Sequence, residues 1–275
     1  MIEALLEELK ELRKLEDQIV SRVWSHSPCA IDLEGTELTG KNIKNRIAQL
    51  ALAFTREFPL YFDATTTVKY DKPVLIGLMD GADPFASLFK KELDEGCFEY
   101  DYTTMQASSY GDGLVSGALR IGSLPKVDLT GRHVVILDDV CDTGNTLMAI
   151  LALLEQQCPA SLKTMVLVDK VQDRKGNYTP DFSGFKLDKN AFIIGMGLDY
   201  RHTLRNKHEI HTANLDFLPT PEEEAKLARI PVLIEEIKRL HAARALNTDG
   251  LLEKSLFAPA LDKQTSMPPS YGLHQ

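Results

Sequence analysis

The sequence predicts an α/β fold: a doubly wound, mostly parallel sheet flanked by helices, with a small hood and added terminal helices. Three observations predict it. Apolar runs at 73–79, 133–137, 162–168 and 192–196 are short, as buried parallel strands are, and 98–105 is strand-like. Helical patterns separate several of these runs, the alternation that builds such a sheet. Acidic, hydroxyl and glycine residues follow two of the runs directly, at the strand ends where open α/β sheets bind ligands.

The elements follow in chain order. Ile2, Leu5, Leu9, Leu12, Ile19 and Val23 fall at helical spacing, with Glu and Lys on the other faces. That amphipathic helix either packs on its own domain or makes a dimer contact. Residues 25–40 read as a polar joint. Ile43, Ile47, Leu50, Leu52 and Phe54 mark a second helix over 42–58. After the 73–79 strand, Asp80-Gly81-Ala82-Asp83-Pro84 turns the chain, with Asp83 as N-cap and Pro84 at the first helical position. Residues 107–125, rich in Ser, Gly and Tyr, read as a long mobile loop, and 171–184 as a polar loop. Thr220-Pro221-Glu222-Glu223-Glu224 opens a late helix by capping residue, proline and acidic first turn. Pro231 is expected to kink or split it. From Asn247 the prolines and weak periodicity suggest a loose tail. The domains are therefore 1–35 (amphipathic helix and joint), 36–218 (the α/β domain) and 219–275 (helical segment and tail).

The chain has 275 residues, 44% of them hydrophobic, enough for a sizeable core. Its net charge of −9 argues against nucleic-acid binding. No apolar run approaches the roughly 18 residues of a membrane span, and the amino terminus lacks a basic, then apolar, leader. Cys29, Cys97, Cys141 and Cys158 show no C-x-x-C spacing, so they read as free thiols in a reducing cytoplasm, with neither disulfide nor zinc role expected. The histidines form no metal-ligand spacing. Trp24 is the lone tryptophan.

The chemistry concentrates in His133-Val134-Val135-Ile136-Leu137-Asp138-Asp139-Val140-Cys141-Asp142-Thr143-Gly144-Asn145-Thr146. A buried strand runs into two adjacent carboxylates, then a third, then a tight loop that opens a helix. The free amides and dipole of that helix start, with two hydroxyls, suit a phosphate. The acid pair suits hydroxyls or a metal. A Walker A loop would need a Lys before the Ser/Thr and wider glycine spacing, and a dinucleotide loop would need G-x-G-x-x-G; neither is present.

This segment resembles the phosphoribosyl-pyrophosphate (PRPP) signature of the type I phosphoribosyltransferases, and four separated segments across about 40–218 resemble their hypoxanthine–guanine branch. The resemblance implies magnesium-dependent transfer of 5-phosphoribose from PRPP to N9 of a 6-oxopurine, hypoxanthine or guanine, in a cytoplasmic homo-oligomer. It implies roles for particular residues. Leu75-Ile76-Gly77-Leu78-Met79-Asp80-Gly81-Ala82 would bind pyrophosphate through the main chain of Asp80 and Gly81, often at a non-proline cis peptide; many relatives carry Lys or Arg where Asp80 stands. Ser109 and Tyr110 resemble the pair of a closing catalytic loop. Asp138 and Asp139 would hold the ribose hydroxyls, directly or around Mg2+. Thr143, Gly144, Asn145 and Thr146 would bind the 5′-phosphate, and Asp142 would be the general base. Lys170 would donate to the 6-oxo group, Phe192 would stack on the base, and the main chain of Ile193 would meet its edge. Pro180-Asp181-Phe182-Ser183-Gly184-Phe185 matches the family pattern, with an insertion near Asn190. Gly197-Leu198-Asp199-Tyr200 would supply Asp199 to a second magnesium, and Arg205 would grip pyrophosphate as a fork of donors. A different acceptor such as xanthine or a pyrimidine, and a PRPP- or nucleotide-sensing protein without turnover, are the other readings.

Overall fold

The computed structural model describes residues 1–58, 72–109, 119–122, 124–171, 174, 178–188 and 190–256. Their chain separates into two compact units, Gln18–Leu218 and a smaller one comprising Met1–Asp17 with the segment from Pro219.

The larger unit is built on a six-stranded sheet in the order β3-β2-β1-β4-β5-β6. Its strands are β1 (Val74–Met79), β2 (Asp101–Ser109), β3 (Leu119–Ile121), β4 (His133–Cys141), β5 (Ser161–Val171) and β6 (Phe182–Asp188). All neighbours run parallel except β3, which pairs antiparallel with β2. In β4, Val134 and Ile136 belong to one apolar cluster and Val135 and Leu137 to another, as the two-residue period of a strand buried on both faces requires. Leu147, Ile150 and Leu154 of α4 (Asn145–Glu155) fill the first cluster. The second takes Phe54 from α2 (Gly40–Glu57) and Phe85, Phe89 and Leu93 from α3 (Asp83–Glu95), with Phe54 and Phe89 packed edge to face at 5.5 Å.

The strand order places the site. From β1 the chain moves outward to β2, then returns to the other side of β1 as β4. That reversal leaves a crevice beyond the carboxyl ends of β1 and β4. A two-stranded hood, β7 (Ile193–Ile194) and β8 (His211–Thr212), completes this unit.

In the smaller unit, α5 (Pro221–Leu227) starts at a full capping box: Thr220 Oγ1 accepts from Glu223 N, and the Glu223 carboxylate accepts from Thr220 N at 2.8 Å. Arg229 pairs with Glu8 at 2.8 Å, the latter on α1 (Ile2–His26). Among the described residues no helix is long and apolar enough to cross a membrane.

Five local expectations need correction, the first at α3, where Ala82 and not Asp83 is the N-cap and Asp83 and Pro84 are the first two helical residues. The segment read as loop from 107 continues β2 through Ser109 and returns as β3, because the edge of a sheet offers ladder bonds to polar residues as readily as to apolar ones. The polar loop expected to reach 184 gives way to β6 at Phe182. The helical break lies at Ala228, and Pro231 sits in the first turn of α6 (Arg229–Leu256), where its missing N–H costs no helical bond. That helix also continues past Asn247: Gly250 alone weakens it by only about 1 kcal/mol, and the next proline is Pro259. Tyr110, most of the expected 107–125 loop and the tail from 257 lie outside the described residues.

Candidate active site

The β4 strand delivers its acids as predicted. Asp139 is 9% exposed and Asp138 half-buried. The Asp139 N–H donates to Asp138 Oδ1 at 3.0 Å, and the Val140 N–H to Asp139 Oδ1 at 2.8 Å. Burial, and then the charge of Asp139, push the Asp138 carboxyl well above the usual range. Burial also raises Asp139, offset by its hydrogen bonds and by the positive charge of Arg205. The pair thus carries negative charge that the protein alone neutralises poorly.

Beyond it, Gly144 caps α4 with φ of 76°, the left-handed region that glycine enters without strain. A Cβ there would lie 2.7 Å from Tyr178 Cδ1, so glycine is needed for space as well. The Thr143 hydroxyl accepts from Asn145 N at 3.5 Å, and Asn145 and Thr146 form the first helical turn. A cleft of about 280 Å³ opens over this turn, lined by Ala107, Asp138 to Gly144, Thr146 and Leu147. Asp142 stands exposed at its edge, and Lys170 Nζ donates to Asp142 Oδ2 at 2.9 Å. Cys141, by contrast, is buried, which pushes its thiol up to about 12 and leaves it unreactive.

The β1 turn sits beside this pair. A non-proline cis peptide joins Met79 to Asp80, as the resemblance implied. The Asp80 side chain is exposed. A Cβ on Gly81 would collide with the Asp139 carboxylate, and one on Gly197 (φ 93°) with the Gly81 carbonyl. Two glycines therefore let the β1 turn, the acid pair and the 197–205 loop converge. In that loop Arg205 donates to Asp199 at 2.8 Å and to the Gly197 carbonyl at 2.6 Å, while the His202 N–H donates to Asp199 Oδ2 at 2.8 Å.

Phe192 and Ile193 lie at the hood. The Phe192 ring meets Tyr200 edge-on at 6.4 Å, and its carbonyl accepts from Ala213 N at 2.7 Å. The Ile193 side chain is buried, so the main chain is what it can offer a ligand. Ser109 ends β2, with its main chain paired to Leu119.

Sequence reasoning missed Arg174. It is 9% exposed, and its guanidinium donates to the carbonyls of Asp142 (2.7 Å), Cys141 (2.9 Å) and Lys170 (2.7 Å) and to Asp169 Oδ1 (2.5 Å). One side chain thus clamps the backbone that carries both Asp142 and Lys170. In sequence it is one more charge in a polar loop, and nothing in the spacing marks it. The matched Pro180–Phe185 segment also gains a physical role: Asp181 Oδ2 accepts from Thr164 N at 2.8 Å and from its hydroxyl at 3.2 Å, and Tyr178 donates to that same hydroxyl at 2.9 Å.

Comparisons with known proteins identify the family and the fold. Residues 42–201 match the family described as Phosphoribosyl transferase domain. A hypoxanthine-guanine phosphoribosyltransferase of Bacillus subtilis (strain 168) is 32% identical over 176 residues, 64% of this chain and 90% of that protein. A hypoxanthine-guanine-xanthine phosphoribosyltransferase of Tritrichomonas foetus is 34% identical over 183 residues, 66% of this chain and 92% of that protein. Among solved structures, the hypoxanthine phosphoribosyltransferase of Trypanosoma cruzi in complex with the product IMP aligns with a TM-score of 0.57 at 29% identity, covering 65% of this chain and 92% of that one.

Proposed function

The chain belongs to the phosphoribosyltransferase family, and from that premise we propose that it transfers 5-phosphoribose from PRPP to N9 of hypoxanthine or guanine, giving IMP or GMP and pyrophosphate. The observation that carries this reading is the 2.9 Å pairing of Lys170 Nζ with Asp142 Oδ2 at the edge of the cleft over the α4 amino terminus. It sets an amine that can donate to a 6-oxo group beside a carboxylate that can accept the N7 proton.

The chain's residues divide the work. Amides of Gly144, Asn145 and Thr146, the hydroxyls of Thr143 and Thr146 and the positive end of α4 hold the 5′-phosphate. Asp138 and Asp139 accept from the ribose 2′- and 3′-hydroxyls. The main chain at Asp80 and Gly81 approaches the pyrophosphate, and Arg205 exchanges part of its bonding to Asp199 for it. The Phe192 ring stacks on the base, the Ile193 main chain meets its edge, and Lys170 turns from Asp142 to the 6-oxo oxygen. N9 then bonds to C1′ of the ribose while the C1′–O bond breaks, and its electron pair leaves with pyrophosphate. Asp142 takes the N7 proton, and its charge stabilises the cationic sugar. Ser109, at the end of β2, and Tyr110, outside the described residues, would help exclude water at this stage, as the family resemblance implies.

The donor set fits magnesium. Two adjacent carboxylates, their pKa values raised by burial and, at Asp138, by the neighbouring charge, are hard oxygen ligands that a cation would stabilise. Asp138 and Asp139 would hold one ion and Asp199 a second, and the ions when bound supply charge neutralisation for the leaving pyrophosphate. A cytoplasmic setting, suited to four free thiols, and a homo-oligomer complete the reading.

Asp142→Asn tests it. Hypoxanthine turnover falls by about 10²–10⁴-fold, the usual worth of a positioned acid or base, while PRPP binding measured by calorimetry is kept. Near-wild-type turnover would overturn the assignment. Xanthine is a second acceptor, favoured by the Tritrichomonas foetus relative whose name includes it.

A further inference from the structure

Away from the cleft, Cys29, Glu209 and His211 meet at the base of the hood, with one ligand atom from each within 4.8 Å of the other two. Glu209 and His211 stand two residues apart, Cys29 is distant in sequence, and an antiparallel bridge between Cys29 and His211 joins the two segments. The imidazole is fixed from two directions. Its ring stacks on Trp24, with centroids 4.1 Å apart and planes 18° from parallel. Its Nδ1 lies 2.7 Å from the Ser27 carbonyl oxygen. A carbonyl only accepts, so Nδ1 carries a proton, and Nε2 is the atom left for a ligand.

Nε2 faces Glu209 Oε2 at 3.0 Å. A carboxylate also only accepts, so the contact requires a cation between the two atoms, either a proton on Nε2 or a metal ion. Cys29 Sγ, 3.7 Å from the Ile210 carbonyl oxygen, adds a soft donor to the same place. The His211 side chain is 14% exposed and that of Glu209 48%, which leaves a path of entry.

We propose that Cys29 Sγ, His211 Nε2 and a Glu209 carboxylate oxygen form a binding site for a zinc-class divalent cation, with a fourth position open to water. Tetrahedral zinc with bonds of about 2.0–2.3 Å sets its ligand atoms about 3.3–3.8 Å apart, so the three side chains need only small shifts to close on an ion. A thiolate and a carboxylate balance its two charges, and the thiol proton and the proton on Nε2 pass to solvent on binding. Thiolate and imidazole select zinc over magnesium, which separates this site from the all-oxygen set at Asp138 and Asp139. The bound ion would staple the segment after α1 to the hood strand β8.

The test is a titration of the untagged full-length protein with Co2+, followed by Zn2+ displacement. The proposal predicts one equivalent of bound cobalt, a thiolate-to-cobalt charge-transfer band in the near ultraviolet, and quenching of Trp24, the only tryptophan. Cys29→Ser abolishes that band, and Glu209→Gln, on an exposed side chain that leaves the fold intact, weakens binding by at least the roughly 10–100-fold that outer-shell partners are worth. Absence of the band in the wild type, its persistence in Cys29→Ser through the exposed Cys97 or Cys158, or unchanged affinity in Glu209→Gln would overturn the proposal and leave a His211–Glu209 ion pair only.

Discussion

The turns that end β1 and β4 lie on adjacent parallel strands, and both contain acids, yet they are built in opposite ways. The β1 turn is a main-chain device. Asp80 is exposed, and what is constrained is Gly81, where any Cβ would strike the Asp139 carboxylate. The β4 turn is a side-chain device: a buried acid pair, a left-handed Gly144 walled by Tyr178, and Arg174 clamping the carbonyls behind Asp142. One strand–turn–helix unit can therefore meet a ligand through backbone or through side chains. The first kind is expected to tolerate a changed side chain, as at Asp80; the second is not.

Four substitutions would break or sharpen that contrast. Arg174→Met has the largest expected effect: it strands Asp169, whose side chain is 4% exposed, and removing one partner of a buried pair costs about 3–5 kcal/mol. Urea unfolding should show that loss, and Arg174→Lys should recover only part of it, because one ammonium cannot serve four acceptors. Gly81→Ala should come next, with hypoxanthine turnover down about 100-fold through misplacement of the reacting groups in a protein that still folds by circular dichroism. Unchanged turnover would show that the β1 turn can retreat from Asp139.

Asp138→Asn should act on stability in the opposite direction. The folded state raises this carboxyl above its unfolded value, so folded protein holds the proton more tightly. Its contribution to stability is full at acid pH and is lost as pH rises from the ordinary carboxylate range towards the raised value. The variant removes that loss, so its Tm at neutral pH should exceed that of the wild type while turnover falls. A lower Tm would mean the acid pair is satisfied without a ligand. Smallest of all, Asp80→Asn should change the KM for PRPP by less than about threefold, as expected of an exposed charge. A tenfold change would put that side chain, and not only its backbone, on the pyrophosphate.

Legibility in the sequence follows the same division. The β4 turn was readable because its chemistry is carried by side chains at fixed spacing, from Asp138 to Thr146. The parallel sheet was readable because strands buried on both faces are continuous apolar runs. The glycine contacts of Gly81 and Gly197 were not, since nothing in a sequence says what a missing Cβ would touch. Arg174 was hidden because its worth lies in three backbone carbonyls and the Asp169 carboxylate, and the Cys29–Glu209–His211 cluster because only tertiary pairing brings Cys29 to the other two. The edge of β2 was lost for a further reason: Ala107, Ser108 and Ser109 hold their strand by ladder bonds, with no apolar period to announce it.

The most direct test of the account is the steady-state rate of the wild-type chain with PRPP and magnesium against hypoxanthine, guanine, xanthine, adenine and orotate. The account predicts turnover with hypoxanthine or guanine, releasing nucleotide and pyrophosphate in equal amounts, and none with orotate. PRPP or nucleotide binding without turnover of any base would contradict it.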